Sequence, residues 1–157
     1  MHDKILLSHG EGGKRTRDLI AKVIARYFDN PVLAPFLDAG LLGRIDGEIA
    51  FTTDGYVVTP PFFPGGDIGR LAVCGTVNDL AVCGAKAVAI SCGLILEEGL
   101  PLSSLERALS AMRDAAKEAG RKAVFARRDK AADLGTRAHA FVEAYFAGEQ
   151  TIVSLTD

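Results

Sequence analysis

The most constraining feature of this sequence is the run of small and apolar residues at 68–83, which has the pattern of a helix. Asp67 precedes the run and suits a helix N-cap, and Gly84 follows it and suits the C-terminal end. A helix that is apolar on nearly all sides is buried on most of its surface. The sequence therefore predicts a helix that other elements enclose.

Segments with strand and helix patterns alternate along the rest of the chain, which predicts the α/β (α+β) class. Strand patterns occur at residues 48–59, 87–96, 122–126 and 151–155. Further helical patterns occur at residues 14–28, 103–120 and 130–147. Ser103 and Glu106 form a capping box at the start of the second of these helices. Residues 5–7 suit a short strand or an extended arm, and residues 60–66, rich in Pro and Gly, are expected to form a loop.

The composition is that of an ordinary globular domain, with 157 residues, 48% of them hydrophobic, and a net charge of −2. This charge does not indicate a nucleic-acid partner, and the basic residues between 121 and 130 are interpreted as a solvated face. The apolar run at 5–7 is too short for a signal peptide or a membrane span. Cys74, Cys83 and Cys92 match no zinc spacing, and we expect them to be reduced and partly buried in a cytoplasmic protein.

Two glycine-containing loops are candidates for contact with an anionic ligand. Residues 9–13 precede a predicted helix, where backbone N–H groups favour a phosphate and Lys14 adds positive charge. A simple turn is the more common explanation of such a loop. Residues 65–69 contain Asp67, for which the role of helix N-cap is the simpler interpretation.

The pair Asn78 and Asp79 lies in the middle of the predicted apolar helix, where neither residue type is favoured. A buried carboxylate is costly unless it is paired, hydrogen-bonded or bound to a cation. A salt bridge to Arg70 or Lys86 would explain it structurally, and a bound ligand would explain it functionally. Asp54 shares this ambiguity, because an aspartate before glycine is also a common turn residue.

Helix geometry limits what these residues can bind together. Asp67 and Asn78 lie on one face of an unbroken helix, about 16 Å apart along its axis. A single metal ion cannot bridge them, whereas an extended nucleotide with magnesium can reach both. Magnesium prefers a few carboxylates together with water and phosphate oxygens, which suits scattered aspartates.

The same features occur in the same order in a known family. The longest match is FFPGGDIGRLAVCGTVNDLAVCGA at residues 62–85. LSHGEGGK at 7–14, FTTDGYVV at 51–58 and ILEEGLP at 95–101 accompany it. With these motifs the first 120 residues resemble the N-terminal half of the hydrogenase maturation factors of the HypE family, which is grouped with aminoimidazole ribonucleotide synthetase and selenophosphate synthetase.

The resemblance implies a fold and an activity. It implies a mixed β-sheet covered by helices on one side, with the sheets of two copies pairing into a homodimer. It implies ATP-dependent dehydration of a protein S-carboxamide to a thiocyanate, which supplies the cyanide ligands of nickel–iron hydrogenases. A carbamoyl transferase and an iron-carrying scaffold complex are the implied protein partners. Nucleic acid and membrane are not among them.

The resemblance also implies the site residues, with ATP and Mg²⁺ as cofactors. Asp54 and Asp79 resemble the magnesium ligands of the family. The implied ATP-binding residues are Gly10, Gly12, Gly13, Lys14, Asp54, Asp67, Asn78 and Asp79. No catalytic residue is assigned, because the sequence ends at Asp157 without the terminal cysteine that carries the substrate in the family.

Beyond residue 120 the resemblance fails, and residues 121–157 are interpreted as a divergent extension of a domain formed by residues 1–120. A Gly-Asp-Thr-Lys motif of the family has no counterpart here, and Asp129 is only a displaced substitute for its aspartate. Two functions therefore remain open. The chain is either an ATP-binding part of the maturation enzyme or a non-catalytic module that dimerises with a full-length relative. A kinase of small phosphorylated compounds fits the match at 62–85 less well.

Overall fold

The computed structural model describes residues 3–125, and the side chains of residues 3–120. Two long helices dominate it, α2 at Ile68–Val82 and α3 at Leu102–Phe125. A short helix α1, Lys14–Leu19, precedes them and continues as a π-helical turn at Ile20–Ile24. Helices and a small antiparallel sheet thus occur together, which confirms the mixed α/β class. No helix within the described residues is long and apolar enough to cross a bilayer.

The apolar stripe of α3 forms the centre of the core. Leu109 is fully buried, and Leu105, Met112 and Ala115 lie on the same side of the helix at three- and four-residue steps. The predicted helix is therefore confirmed, but its ends differ from the prediction. It begins before Ser103, which lies inside the first turn, and it runs beyond Gly120, so residues 122–125 are helical instead of extended.

Helix α2 begins where the sequence predicts. The Asp67 side chain accepts a hydrogen bond from the backbone N–H of Arg70 at 2.9 Å, which caps the helix. At the other end the N–H of Gly84 bonds to Ala81 at 2.9 Å. The expectation that this helix is buried on most of its surface is confirmed, because Gly69, Val73 and Ala81 are buried and only Val82 among the other residues is exposed.

An extended arm at the N-terminus holds the start of the chain against the segment before α3. Ile5 donates to the carbonyl of Leu100 and accepts from the N–H of Gly99, both at 2.8 Å, and Lys4 forms an isolated bridge with Pro101. Ile5 itself is buried in the core. Of the two predicted alternatives for residues 5–7, the arm is observed at Ile5 and Leu6, whereas Leu7 begins a 3-10 helix at Leu7–His9.

The first helix is more irregular than predicted. The pattern at 14–28 predicts one α-helix, but Ala25 bonds to Ile20, which gives a π-helical turn, and only turns follow it. Val23 and Leu19 still point into the core. Their burial explains why the apolar periodicity resembles that of a continuous helix.

The predicted strands at 48–59 and 87–96 are absent from the described residues, whose only sheet is a hairpin of β1, Phe62–Phe63, and β2, Gly66–Asp67. The hairpin occupies the predicted loop at 60–66 and extends one residue beyond it, to Asp67. No backbone hydrogen bond joins 48–59 or 87–96 to another described segment. Strand-forming residue types alone do not make a strand, because a ladder needs a partner.

Several predictions lie outside the described residues. These are the helix at 130–147, the strand at 151–155, Asp129, and most of the extension at 121–157. The division at residue 120 stays a prediction.

The crossing of α2 and α3 gives a direct test of the fold. A Cβ atom at Gly69 would overlap the carbonyl oxygen of Ala108 and lie 2.9 Å from Cγ of Met112. We expect Gly69→Ala to lower the free energy of unfolding by about 1–3 kcal/mol, as overpacking in a core does. Urea unfolding followed by circular dichroism measures the change.

Gly120→Ala is the matched control, because Gly120 is exposed on α3 with nothing near the added methyl group. It is expected to stabilise the protein by about 0.5–1 kcal/mol through helix propensity. Equal effects of the two substitutions would contradict the packing of α2 on α3.

Candidate functional site

The structure brings Asp54 and Asp79 together, although they are far apart in sequence. Asp79 lies on α2, and its side chain hydrogen-bonds with that of Asp54. The Thr52 hydroxyl donates to Oδ2 of Asp79 at 3.3 Å, and the Tyr56 hydroxyl donates to Oδ2 of Asp54 at 2.9 Å. The segment that contains Thr52, Asp54 and Tyr56 therefore lies over α2, and we call Asp54 and Asp79 the acidic pair.

The acidic pair is electrostatically unfavourable when both carboxyl groups are charged. Loss of hydration on burial raises the pKa of Asp79, and the hydrogen bond and negative charge of Asp54 raise it further. The Thr52 hydroxyl opposes this by stabilising the carboxylate. A cation placed between the two carboxyl groups would relieve the repulsion, so the pair has the chemistry of a partial metal site.

Asn78 adds a second polar group to the same turn of α2. Its Oδ1 atom is buried and has no hydrogen-bond partner among the described residues. An unsatisfied buried acceptor costs roughly 1–3 kcal/mol, so its presence calls for an explanation. A donor supplied by a ligand would satisfy it.

A shallow cavity of about 160 Å³ borders the pair on one side. It lies between residues 50–54, the α2 residues Thr76 and Leu80, and residues 89–93. Asp54 is on its wall, together with the hydroxyl-bearing residues Thr52 and Ser91. The wall is thus polar on the side of the acidic pair.

Asp67 is placed elsewhere on the same helix. It is the N-cap of α2, about 18 Å along the axis from Asp79 at 1.5 Å per residue. Its cap bond to Arg70 gives it the structural role that the sequence favours. A ligand that meets both Asp67 and Asp79 must therefore be extended.

The glycine-rich loop is held by contacts to its own helix and to the segment before α3. The N–H of Gly12 donates to Thr16, and that of Leu7 to Glu98. Gly10, Gly13 and Lys14 are exposed. These contacts anchor the loop, and none of them joins it to the acidic pair. The structure thus brings Asp54 and Asp79 together, with Asn78 on the same turn of α2 as Asp79, and these contacts do not include the loop.

The sequence analysis overlooked three hydroxyl groups beside the acidic pair, those of Thr52, Tyr56 and Thr76. Thr52 and Tyr56 flank Asp54 at two-residue spacing, so an extended backbone places all three on one side. Thr76 lies three residues before Asp79 on α2 and hydrogen-bonds with Tyr56. The period-two spacing was visible in the sequence and could have revealed the first two.

The three cysteines differ in exposure. Cys83 and Cys92 are exposed and Cys74 is half-buried, so the expectation of partial burial holds only for Cys74. Within residues 3–120 no group of three or more His, Cys, Asp or Glu side chains is arranged to hold a metal ion. The two carboxylates of the acidic pair would need further ligands from water or phosphate, which is how Mg²⁺ is usually bound in proteins.

Residues 37–127 match the family described as AIR synthase related protein, N-terminal domain. This match spans more than half of the 157 residues. The chain belongs to the AIR synthase-related N-terminal domain family.

Within that family the chain is similar to hydrogenase maturation proteins. It is 46% identical over 123 residues to carbamoyl dehydratase HypE of Escherichia coli K12, covering 75% of this chain and 37% of that protein. The corresponding protein of Rhodobacter capsulatus is 48% identical over 120 residues, with coverages of 75% and 35%. The chain thus spans little more than a third of the length of these relatives.

A solved structure shows the same similarity to hydrogenase maturation proteins. The crystal structure of hydrogenase maturation protein HypE in complex with ATP superposes with a TM-score of 0.71 at 51% sequence identity. The match covers 73% of this chain and 34% of that one. The resemblance inferred from the motifs is therefore confirmed.

The raised pKa of Asp79 predicts how stability depends on pH. The folded state holds the Asp79 proton more tightly than the unfolded state, whose pKa is near 3.8. The contribution of Asp79 to the free energy of unfolding is therefore fully present below pH 3.8. It falls as the pH rises from 3.8 through the higher pKa of the folded state. In metal-free buffer at pH 7, Asp79→Asn is expected to raise stability by up to about 1 kcal/mol, because solvent screens part of the repulsion. Urea unfolding of both proteins at pH 4 and pH 7 measures this difference in the free energy of unfolding.

Asp67→Asn is the matched control on the same helix. Asparagine caps as well as aspartate, and the loss of a negative charge at the helix N-terminus removes a favourable interaction. This variant is therefore expected to be neutral or slightly destabilised. Stabilisation of both variants alike would show that lost charge in general, and not the acidic pair, is responsible.

Proposed function

We propose that this chain is the ATP-binding domain of a HypE-type carbamoyl dehydratase and binds ATP with Mg²⁺. The observation that carries the proposal is the acidic pair, which brings Asp54 beside Asp79 on α2. The similar HypE protein in a complex with ATP supports the choice of nucleotide. A magnesium–nucleotide would satisfy both the pair and the buried acceptor of Asn78, whereas a lone metal ion would satisfy only the pair.

Each candidate site residue has a proposed role in binding Mg²⁺ or ATP that follows from its chemistry. Asp54 and Asp79 would hold Mg²⁺, and Asn78 would receive a hydrogen bond from the nucleotide. Asp67 would contact the far end of the extended ligand. Gly10, Gly12, Gly13 and Lys14 would close over the phosphates. Bound Mg²⁺ supplies charge neutralisation at the phosphate oxygens, which favours cleavage of ATP.

The activity proposed for the whole protein is the one in the name of its relatives. ATP would drive dehydration of a protein S-carboxamide to a thiocyanate, from which the cyanide ligands of a nickel–iron hydrogenase are made. A carbamoyl transferase and an iron-carrying scaffold complex are the proposed partners, in the cytoplasm. Residues 1–120 would provide the nucleotide domain, and residues 121–157 an extension of it.

A second copy of the chain is the proposed partner of the apolar segments that lack a strand ladder. Phe51, Val57 and Ile95 are 83%, 95% and 103% exposed. Exposed, extended apolar segments with free backbone groups favour pairing with another chain. The same observation supports the second function, a non-catalytic module that dimerises with a full-length relative.

Calorimetric titration of ATP tests the main proposal. We expect the chain to bind ATP in the presence of Mg²⁺, and Asp79→Ala to weaken binding by about 10-fold or more, since loss of a group that only supports a metal ligand already costs about 10–100-fold. The reason is that Asp79 would lose its contact with the ion. Asp114→Ala is the control, because it removes an exposed carboxylate on α3.

The result separates the two functions. If the folded, unmutated chain bound no ATP with Mg²⁺, the nucleotide proposal would be wrong and the non-catalytic module would replace it. Binding that Asp79→Ala and Asp114→Ala leave equally intact would remove the acidic pair from the site.

Sedimentation equilibrium tests the dimer. We expect a homodimer at micromolar concentration, and Val57→Lys to shift the mass toward the monomer because it places a charge in the apolar contact. Ile20→Lys, on the π-helical turn, is the control and should leave the dimer intact. A monomer mass for the unmutated chain would contradict pairing through these segments.

A further inference from the structure

The side chain of Tyr56 lies beside the proposed metal site and has no assigned role in it. Its hydroxyl donates to Oδ2 of Asp54 at 2.9 Å and also hydrogen-bonds with Thr76 on α2. The phenol therefore connects Asp54, on an irregular segment, to a regular helix. Asp54 is exposed, and no other described side chain than Tyr56 and Asp79 hydrogen-bonds with it.

The ring of Tyr56 lies directly on the backbone of α2. A Cβ atom at Gly75 would overlap the Tyr56 hydroxyl and come within 2.8 Å of Cζ and 2.9 Å of Cε1. Only glycine at position 75 allows this approach. The helix thus contains a seat for the ring one turn before Asp79.

We propose that Tyr56, seated on Gly75, is a positioning residue that holds the carboxylate of Asp54 beside Asp79 for Mg²⁺. The proposal rests on the function proposed above. The Tyr56 hydroxyl holds Oδ2 of Asp54 while the same carboxyl group interacts with Asp79. Without the hydroxyl, the exposed Asp54 side chain would keep only its interaction with Asp79, which two charged carboxylates weaken, and ordering it would oppose ion binding.

A positioning role and a merely structural role of Tyr56 predict different effects on magnesium and ATP binding. Tyr56 touches neither the ion nor the nucleotide in this arrangement, so its loss should change the magnesium requirement and leave magnesium-free nucleotide affinity unaltered. A merely structural role would instead lower thermal stability and weaken ATP binding at every magnesium concentration.

The experiment compares the unmutated chain with Tyr56→Phe, which keeps the ring and removes only the hydroxyl. ATP affinity is measured by calorimetry over a series of Mg²⁺ concentrations, and Mn²⁺ binding without nucleotide by electron paramagnetic resonance. We expect about a 10-fold or larger increase in the metal concentration needed for half-saturation, as for other groups that orient metal ligands. ATP affinity without metal and the melting temperature should stay unchanged.

Gly75→Ala is the second variant and acts by a different route, because the added methyl group displaces the ring. It should raise the magnesium requirement in the same direction. Tyr27→Phe is the matched control, since Tyr27 loses the same atom where its ring packs under Arg113. It should leave the magnesium requirement unchanged.

The outcomes distinguish this inference from the function on which it rests. If the unmutated chain bound neither Mg²⁺–ATP nor Mn²⁺, the proposed function would fail, and the positioning role with it. If the unmutated chain bound both and Tyr56→Phe behaved identically, the positioning role alone would be wrong. Equal weakening by Tyr56→Phe and Tyr27→Phe would also overturn it.

Discussion

The packing of α2 against α3 is the contact on which the rest of the structure depends. Gly69 lets the first turn of α2 approach the backbone of α3 at Ala108, and Val73 continues the contact one turn later. The apolar stripe of α3, centred on Leu109, packs against α2 and against the first helix. Because α2 is fixed in this way, the polar residues further along it have defined positions.

The polar turn of α2 combines features that a stable fold alone would avoid. Asp79 is close to a second carboxylate, and the amide oxygen of Asn78 is buried without a partner. Each lowers stability, and both lie on the same turn. Such local conflicts concentrate at functional sites, where a ligand removes the cost on binding. The membership in the AIR synthase-related family and the similarity to an ATP-bound protein agree with that interpretation.

The apolar segments at 48–59 and 87–96 have no strand partner within the described residues. Residues 48–59 contain the part of the site formed by Thr52, Asp54 and Tyr56, yet no ladder within the described residues supports them. Their contact with α2 through Tyr56 and Gly75 is therefore important for the geometry of the site. Association with a second copy would support the same segment from its other side, so dimerisation and ion binding would strengthen each other.

The sequence by itself determined the two long helices, the cap at Asp67 and the family, and it proposed the candidate site residues. These depend on local patterns, namely apolar periodicity, cap residues and a long motif, which can be recognised in the amino-acid sequence. Only the tertiary structure showed that Asp54 meets Asp79, that Asn78 Oδ1 is unsatisfied, and that Gly75 seats Tyr56. It also showed that the strand-forming residues at 48–59 and 87–96 are unpaired within the described part of the chain. Contacts between distant segments and the need of a strand for a partner are not properties of a local pattern.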